Sequence, residues 1–239
     1  MPCATYGTDA AGHNVVVSLC DYSGNWSRPF NLYHGYTVVR FDMKHGDDVT
    51  DYAGTMASIE ITLRALRAPG RPEPRVAGVL MAPPCTDFTV SGARWWPAKD
   101  ADGRTEASVR LVRACLAVVK ALQPVFWALE NPVGRLPRLV AELGAASWYF
   151  NPCEYAGFAP DPEAERYTKR TGMWTNVARP KTAPRNPIMY ESAGKRGSWM
   201  WAKLGGRSER TKELRSNTPQ GFALSFSYAA VALVETPTI

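Results

Sequence analysis

The sequence predicts an α/β fold with a mostly parallel sheet. Two observations carry that expectation. Strand-like and helix-like segments alternate over the first two thirds of the chain, the pattern of strand–helix–strand units. Polar groups able to do chemistry fall where the strand-like runs stop, and in parallel sheets ligands bind outside the carboxyl ends of strands.

Each element has its own warrant in the residues. "HNVVVSLC" (His13–Cys20) is a short β-branched run and reads as a buried strand. "DYSGNWSRPF" after it is turn-like. "YTVVRFD" (Tyr36–Asp42) reads as a second strand, ending in an acid. "DYAGTMASIEITLRALRAP" (Asp51–Pro69) reads as a helix closed by "PGRPEP". "RVAGVLMA" (Arg75–Ala82) is a strand that stops at Pro83, and the polar stretch "TDFTVSGARWWPAKDADGR" reads as a loop. "TEASVRLVRACLAVVKAL" (Thr105–Leu122) is an amphipathic helix, with Thr105 able to cap it and a polar stripe on Glu106, Arg110, Arg113 and Lys120. "VFWALE" (Val125–Glu130) is a strand that ends in an acid just before "NPVG". "TPQGFALSFSYAAVALV" (Thr218–Val234) is an apolar helix with Thr218 at the cap and Pro219 at its first position. No internal repeat or low-complexity tract interrupts this order.

Composition narrows the function classes. The chain has 239 residues, of which 45% are hydrophobic and 21% charged, so one globular domain with a sizeable core is expected. No apolar run reaches the length of a membrane span, and "MPCATYGTDAAGHN" lacks the segments of a signal peptide, so a cytoplasmic location is expected. The five cysteines (Cys3, Cys20, Cys85, Cys115, Cys153) are scattered without a C-x-x-C pair, and only three histidines are present. Disulfides and a structural metal are therefore not expected. The formal charge of +6 favours a polyanionic partner. From Lys181 to Arg215 nine Lys or Arg face three Glu, which accounts for that whole excess. The stretch reads either as a solvated loop or as a phosphate-contacting patch.

Four groups sit at strand ends: the "CDYSGN" turn, Asp42, Cys85 and Glu130. Gly24 permits close backbone approach to a ligand, and Asp42 stands where an acid accepts hydrogen bonds from ribose hydroxyls. Each has an ordinary alternative: a plain turn, a solvated acid, a buried inert thiol, a turn cap. Pro83 and Pro84 stiffen the backbone that presents Cys85.

Taken together, "APPCTDF" followed by "ALENPVGRL" resembles the Pro-Cys and Glu-Asn motifs of the cytosine-C5 DNA methyltransferases. "CEYAGF", "ERYTKRTGMW" and "LGGRSERTKELRSNTPQGFA" resemble segments of that family's compact bacteriophage-type members. The resemblance runs from about Val15 to Ala230. It implies a Rossmann-like S-adenosylmethionine-dependent methyltransferase fold in a single domain, with a catalytic core over about 13–174 plus 216–234 and a small basic DNA-facing lobe over about 175–215. It implies Cys85 as nucleophile, Glu130 as the acid at the cytosine ring, Asn131 shaping the turn and Arg170 as supporting cation.

For the cofactor, S-adenosylmethionine, the resemblance implies Cys20, Asp21, Tyr22, Ser23, Gly24, Asn25 and Trp26 as the first turn. Cys20 replaces the usual aromatic there, so Tyr22 or Trp26 is the expected substitute. Asp42 and Met43 fall at the ribose and adenine, Asp48 and Val49 at the adenine edge with Asp47 as a competitor, and Pro83 and Pro84 beside the methyl donor. Gly172 stands where the family carries a second arginine, and Lys169 is the candidate to compensate. DNA is the implied partner, its target cytosine swung out of the duplex. Arg94, Trp95, Trp96 and Lys99 in the loop after Cys85, and Lys195, Arg196, Arg207 and Lys212 in the basic stretch, are the candidate contacts. The alternatives for Trp95 and Trp96 is packing on the loop's own surface. No metal is implied, and a monomer in a bacterial or phage-infected cell is expected. Activity on RNA or a free cytosine nucleotide, a modified alkyl donor, and a catalytically silent binder remain as alternative functions.

Overall fold

The computed structural model describes residues 12–192, 195–200 and 208–236. Four parallel strands form its centre: β1 (His13–Leu19), β2 (Thr37–Phe41), β3 (Arg75–Met81) and β4 (Phe126–Pro132). β5 (Trp148–Phe150) and β6 (Thr171–Thr175) complete a six-stranded sheet in the order β2-β1-β3-β4-β6-β5, with β6 antiparallel to both of its neighbours. The fold is thus mixed α/β around a mostly parallel sheet.

Alternation along the strands sorts the core into two layers. Val15, Val17 and Leu19 of β1, with Val79 and Met81 of β3, face one layer. There they meet Ile59 of α2 (Tyr52–Ala65) and Val109, Val112, Cys115 and Val118 of α4 (Arg104–Leu122); the short α3 (Trp96–Ala101) precedes α4. Val16, Ala77, Leu80 and Ala128 face the other layer, against Phe30 of α1 (Arg28–His34) and an aromatic group from the chain's last helix. A short α5 (Leu136–Leu139) follows β4. Burial on both faces explains why the parallel strands read as nearly unbroken apolar runs. The stripe Glu106, Arg110, Arg113 and Lys120 lies exposed on α4, as its spacing predicts.

Beyond β6 the hairpin β7 (Met189–Ser192) and β8 (Lys195–Ser198) docks on the core through Ser198, whose hydroxyl donates to the Thr168 carbonyl. The chain then forms α6 (Glu209–Ser216) and α7 (Gln220–Glu235). Glu165 anchors the start of α7: its carboxylate accepts the backbone N–H groups of Gln220 and Gly221. The anchoring group is thus a distant carboxylate, whereas the sequence points to Thr218 as the cap. Among the described residues no helix is long and apolar enough to cross a membrane, and no three His, Cys, Asp or Glu side chains are grouped to hold a metal ion.

Some elements differ from the sequence reading. Arg28–His34 is helical where a turn is expected, because Pro29 at its start pre-sets the backbone and Gly35 closes it in the left-handed conformation. β5 and β6 lack long β-branched runs; antiparallel pairing, of β6 to β4 and of β5 to β6, makes them strands. The segment after Cys85 is not an open loop but a 3-10 turn (Val90–Trp95) leading into α3.

Candidate active site

The strand order places a topological switch between β1 and β3. From β1 the chain moves outward to β2, then returns to the other side of β1 as β3. Loops leaving two such strands diverge and open a crevice at their carboxyl ends. The turn after β1 and the prolines before Cys85 border that crevice, with Asp42 after β2 and Glu130 in β4 along the same edge.

Asp21 holds the first turn. It is buried and accepts hydrogen bonds from Ser18 Oγ at 3.0 Å, Ser27 Oγ at 2.7 Å and Ser27 N–H at 3.2 Å. Cys20 takes a φ of 60°, unusual for a side-chain-bearing residue, and Gly24 one of 68°. Ser23 Oγ accepts from Asn25 N–H, and Asn25 Nδ2 donates to the Thr218 carbonyl, tying the turn to the start of α7. Two aromatic expectations part company here. Tyr22 is exposed beside His45 and under the Lys44 ammonium, at the surface where a ligand could lie. Trp26 is wholly buried against Phe222 and Phe226, so it belongs to the core and not to a ligand wall. Cys20 also turns inward: it is hydrogen-bonded with Cys115, a contact that, with burial, holds the Cys115 thiol well above its ordinary range. Asp21 braces the turn through Oδ2.

After β2, Asp42 Oδ1 accepts the Lys44 N–H at 2.9 Å, and its second oxygen has no partner among the described residues. Met43 is exposed beside it. Asp48 uses Oδ1 for the Thr50 N–H and hydroxyl, which lowers its pKa. Val49 is buried in the core, so only its backbone could meet a ligand.

Cys85 and Glu130 come from adjacent strands. Met81 of β3 lies opposite Leu129 of β4, so Glu130 stands level with the start of the Pro83-Pro84 turn. Pro83 is buried and Pro84 exposed. Asn131, fully buried, donates from Nδ2 to the Pro83 carbonyl at 3.0 Å, while its Oδ1 has no partner among the described residues. The two motifs interlock further on. Thr89 pairs with Gly134, and Arg135 N–H donates to the Phe88 carbonyl at 2.9 Å.

The electrostatics of the pair follow from burial and one cation. Burial pushes the Cys85 thiol up; Lys169 opposes that, Glu130 adds to it and Arg215 opposes it. Burial also pushes the Glu130 carboxyl up, Lys169 pulls it down and Asp21 raises it. Lys169 Nζ is itself held by the Arg215 carbonyl at 2.9 Å, near the end of α6. Arg170 behaves differently from the expectation: its guanidinium lies exposed over the Tyr149 ring at 4.8 Å from the centroid. Lys169, and not Arg170, is thus the cation whose charge bears on both Cys85 and Glu130.

The segment after Cys85 divides the same way. Lys99 is buried, donates to the Thr86 carbonyl and pairs with Asp87 at 2.9 Å. It therefore pins the segment, with its ammonium turned to Thr86 and Asp87. Trp96 lies inward beneath Arg135, which also binds Asp100, Thr105 and the Asp87 carbonyl. Arg94 and the exposed Trp95 stay at the surface, the guanidinium 5.0 Å from the ring centroid. Asp87, Arg135 and Arg215 were not singled out from the sequence; the first two sit inside the Pro-Cys and Glu-Asn stretches, which was the available signal. Of the basic stretch, Lys195 and Arg196 fall on β8, and Lys212 on α6. Arg207 and Cys3 lie outside the described residues.

No protein-family model matches the chain, and no curated protein matches it. Solved structures do match. One is an E. coli protein, encoded within a prophage and proposed to be a DNA modification methyltransferase; it is 16% identical, with a TM-score of 0.38. The match covers 67% of this chain and 45% of that one, so this chain spans less than half of that structure's length.

Proposed function

We propose that the chain transfers a methyl group from S-adenosylmethionine to C5 of cytosine in DNA, through a transient bond between Cys85 Sγ and C6 of the ring. The observation that carries this reading is that Cys85, just beyond β3, lies close enough to Glu130 of the neighbouring β4 for their charges to act on each other, with the Lys169 ammonium acting on both.

C5 of cytosine is a weak nucleophile because its ring is electron-poor. A thiolate adding at C6 breaks the C5–C6 π bond and makes C5 electron-rich. Glu130, kept protonated more readily by burial, donates to N3 as charge reaches the ring. Lys169 favours the thiolate form of Cys85 against the opposing effect of burial. After C5 gains the methyl group, its proton leaves to a base and the C6–S bond breaks, which restores the ring and frees Cys85. Two easier steps thus replace one hard substitution.

The edge beside β1 and β2 suits a nucleoside. Asp42 keeps a carboxylate oxygen for ribose hydroxyls, next to the exposed side chains of Tyr22 and Met43. S-adenosylmethionine held there would supply the methyl group as an electrophile. The cationic residues between Thr175 and Ser216 suit phosphate contacts, which position a strand without reading its sequence; low sequence specificity follows.

The test is incubation with methyl-labelled S-adenosylmethionine and unmethylated DNA beside a Cys85→Ala control, followed by digestion to nucleosides and mass analysis. Labelled 5-methylcytosine that disappears in the control is the expected result. Cofactor binding without any modified base would overturn the DNA cytosine reading.

A further inference from the structure

Large apolar side chains lie exposed on the segments around Cys85: Val90 at 59%, Trp95 at 49%, Val133 at 40% and Tyr149 at 40% of full exposure. Backbone bonds join the segments that carry them. Thr89 N–H donates to the Cys85 carbonyl, Val90 N–H to Val133, and Val133 N–H to Arg170. Arg170 then covers Tyr149 at one end, and Arg94 covers Trp95 at the other.

What sets these two arginines apart is the aromatic ring each lies on; lacking a carboxylate partner among the described residues is shared with exposed Arg28, Arg71 and Arg75. Arg64, Arg104, Arg110 and Arg113 each pair with a carboxylate. Arg94 and Arg170 lie on aromatic rings and pair with no carboxylate among the described residues. Their N–H edges are thus available to an anion beside flat, exposed rings. Rings that stack and guanidinium groups that bind phosphate together match a nucleic-acid strand. A duplex hides the faces of its bases inside the stack, whereas an unpaired strand offers them.

We infer that this face is a docking platform for an unpaired nucleic-acid strand, with Trp95 and Tyr149 stacking bases that flank the one presented to Cys85, and Arg94 and Arg170 holding its phosphates. The inference rests on the function proposed above and names the substrate class of that site. Val90 and Val133 keep the floor between the rings apolar.

The test is fluorescence anisotropy with a labelled DNA strand of about a dozen nucleotides, the same strand as a duplex, and its RNA counterpart. The full chain, Trp95→Ala, Tyr149→Ala, Trp95→Phe and Tyr149→Phe are compared, with methyl transfer measured in parallel. The single strand is expected to bind about tenfold tighter than the duplex, each alanine variant to weaken it about tenfold, and each phenylalanine variant to keep most of the affinity. A duplex bound as tightly as the strand, or alanine variants at full affinity, overturns the platform. Tighter binding of RNA keeps the platform and names RNA as its strand. Methyl transfer with full affinity in the alanine variants would leave the cytosine chemistry standing and remove the platform. Strand binding that the alanine variants lose, with no methyl transfer by the unaltered protein, would keep the platform and remove the chemistry.

Discussion

Asn131 Nδ2 donates a 3.0 Å hydrogen bond to the carbonyl oxygen of Pro83, a residue 48 positions earlier. The bond joins the turn that presents Cys85 to the strand that carries Glu130. It is buried, so water cannot replace it. Asn131→Ala would leave the carbonyl without its donor and is expected to cost about 1–3 kcal/mol of stability. In the proposed reaction the bond sets the relation of Cys85 to Glu130, so kcat should fall more than KM rises. Urea unfolding and steady-state methyl transfer check both parts; lost stability with unchanged kcat would leave Asn131 a purely structural residue.

Gly134 provides the second clasp between the same motifs. A Cβ at this position would lie 1.9 Å from the Phe88 carbonyl oxygen and 2.9 Å from Thr89 Cα. Both are backbone atoms and have little room to move. Gly134→Ala should therefore part Thr89 from Gly134 and destabilise the chain by about 1–3 kcal/mol, the range for overpacking. Thermal unfolding measures this; an unchanged midpoint would show that the Cys85 segment moves freely.

The α/β sheet was legible because β1, β3 and β4 are largely buried apolar runs and β2 and β3 stop at Asp42 and before Pro83. Glu130 reads as a strand end in the sequence but lies two residues inside β4, because Asn131 and Pro132 still pair with β6. What stayed hidden was side-chain direction. Trp26 and Tyr22 share one turn, yet only Tyr22 reaches the surface, because Trp26 fills the space over Phe222 and Phe226. Lys169 and Arg170 are neighbours with different destinations: Lys169 is held by the Arg215 carbonyl, and Arg170 lies over the Tyr149 ring. β5 and β6 carry no strong local signal; their pairing partner lies tens of residues away. Trp96 and Lys99 sit in a polar stretch that reads as loop, and a buried network built by Asp87 and Arg135 turns them inward.

Lys99 separates structural from phosphate-binding cations. It and Asp87 are both largely buried, whereas Lys44 and Glu213 pair at the surface. Lys99→Met would strand the Asp87 carboxylate, which keeps only the Ser108 hydroxyl at 2.6 Å, and is expected to cost about 3–5 kcal/mol. Lys44→Met should cost about 0–1 kcal/mol. Chemical denaturation compares the two. Near-neutral behaviour of Lys99→Met would instead place its ammonium in solvent.

Lys169 is expected to govern the thiol. Its ammonium lowers the pKa of Cys85 and of Glu130. Lys169→Met should therefore raise the pKa of Cys85, read as thiolate absorbance or alkylation rate against pH, while Arg170→Ala leaves that titration in place. The reverse pattern would return the supporting role to Arg170.

The pH dependence of turnover follows from the same two groups. Burial raises Glu130 above its ordinary 4.5 and Cys85 above its ordinary 9.0. Below both values the site holds two protons, between them one, and above them none. The reactive arrangement, thiolate with carboxylic acid, holds one proton, as does the more populated thiol with carboxylate. The profile of kcat/KM is therefore a bell: it climbs as pH rises through the lower value and declines through the upper. Glu130→Gln removes the shared proton. Its rate should be lower throughout, and should climb with pH to a plateau as Cys85 ionises, with no alkaline decline. Loss of the Glu130 charge also removes one of the effects that raise Cys85, so that climb should begin at lower pH than the decline of the unaltered protein. A profile for the unaltered protein that only climbs with pH would remove Glu130 from proton donation and leave Cys85 ionisation as the sole control.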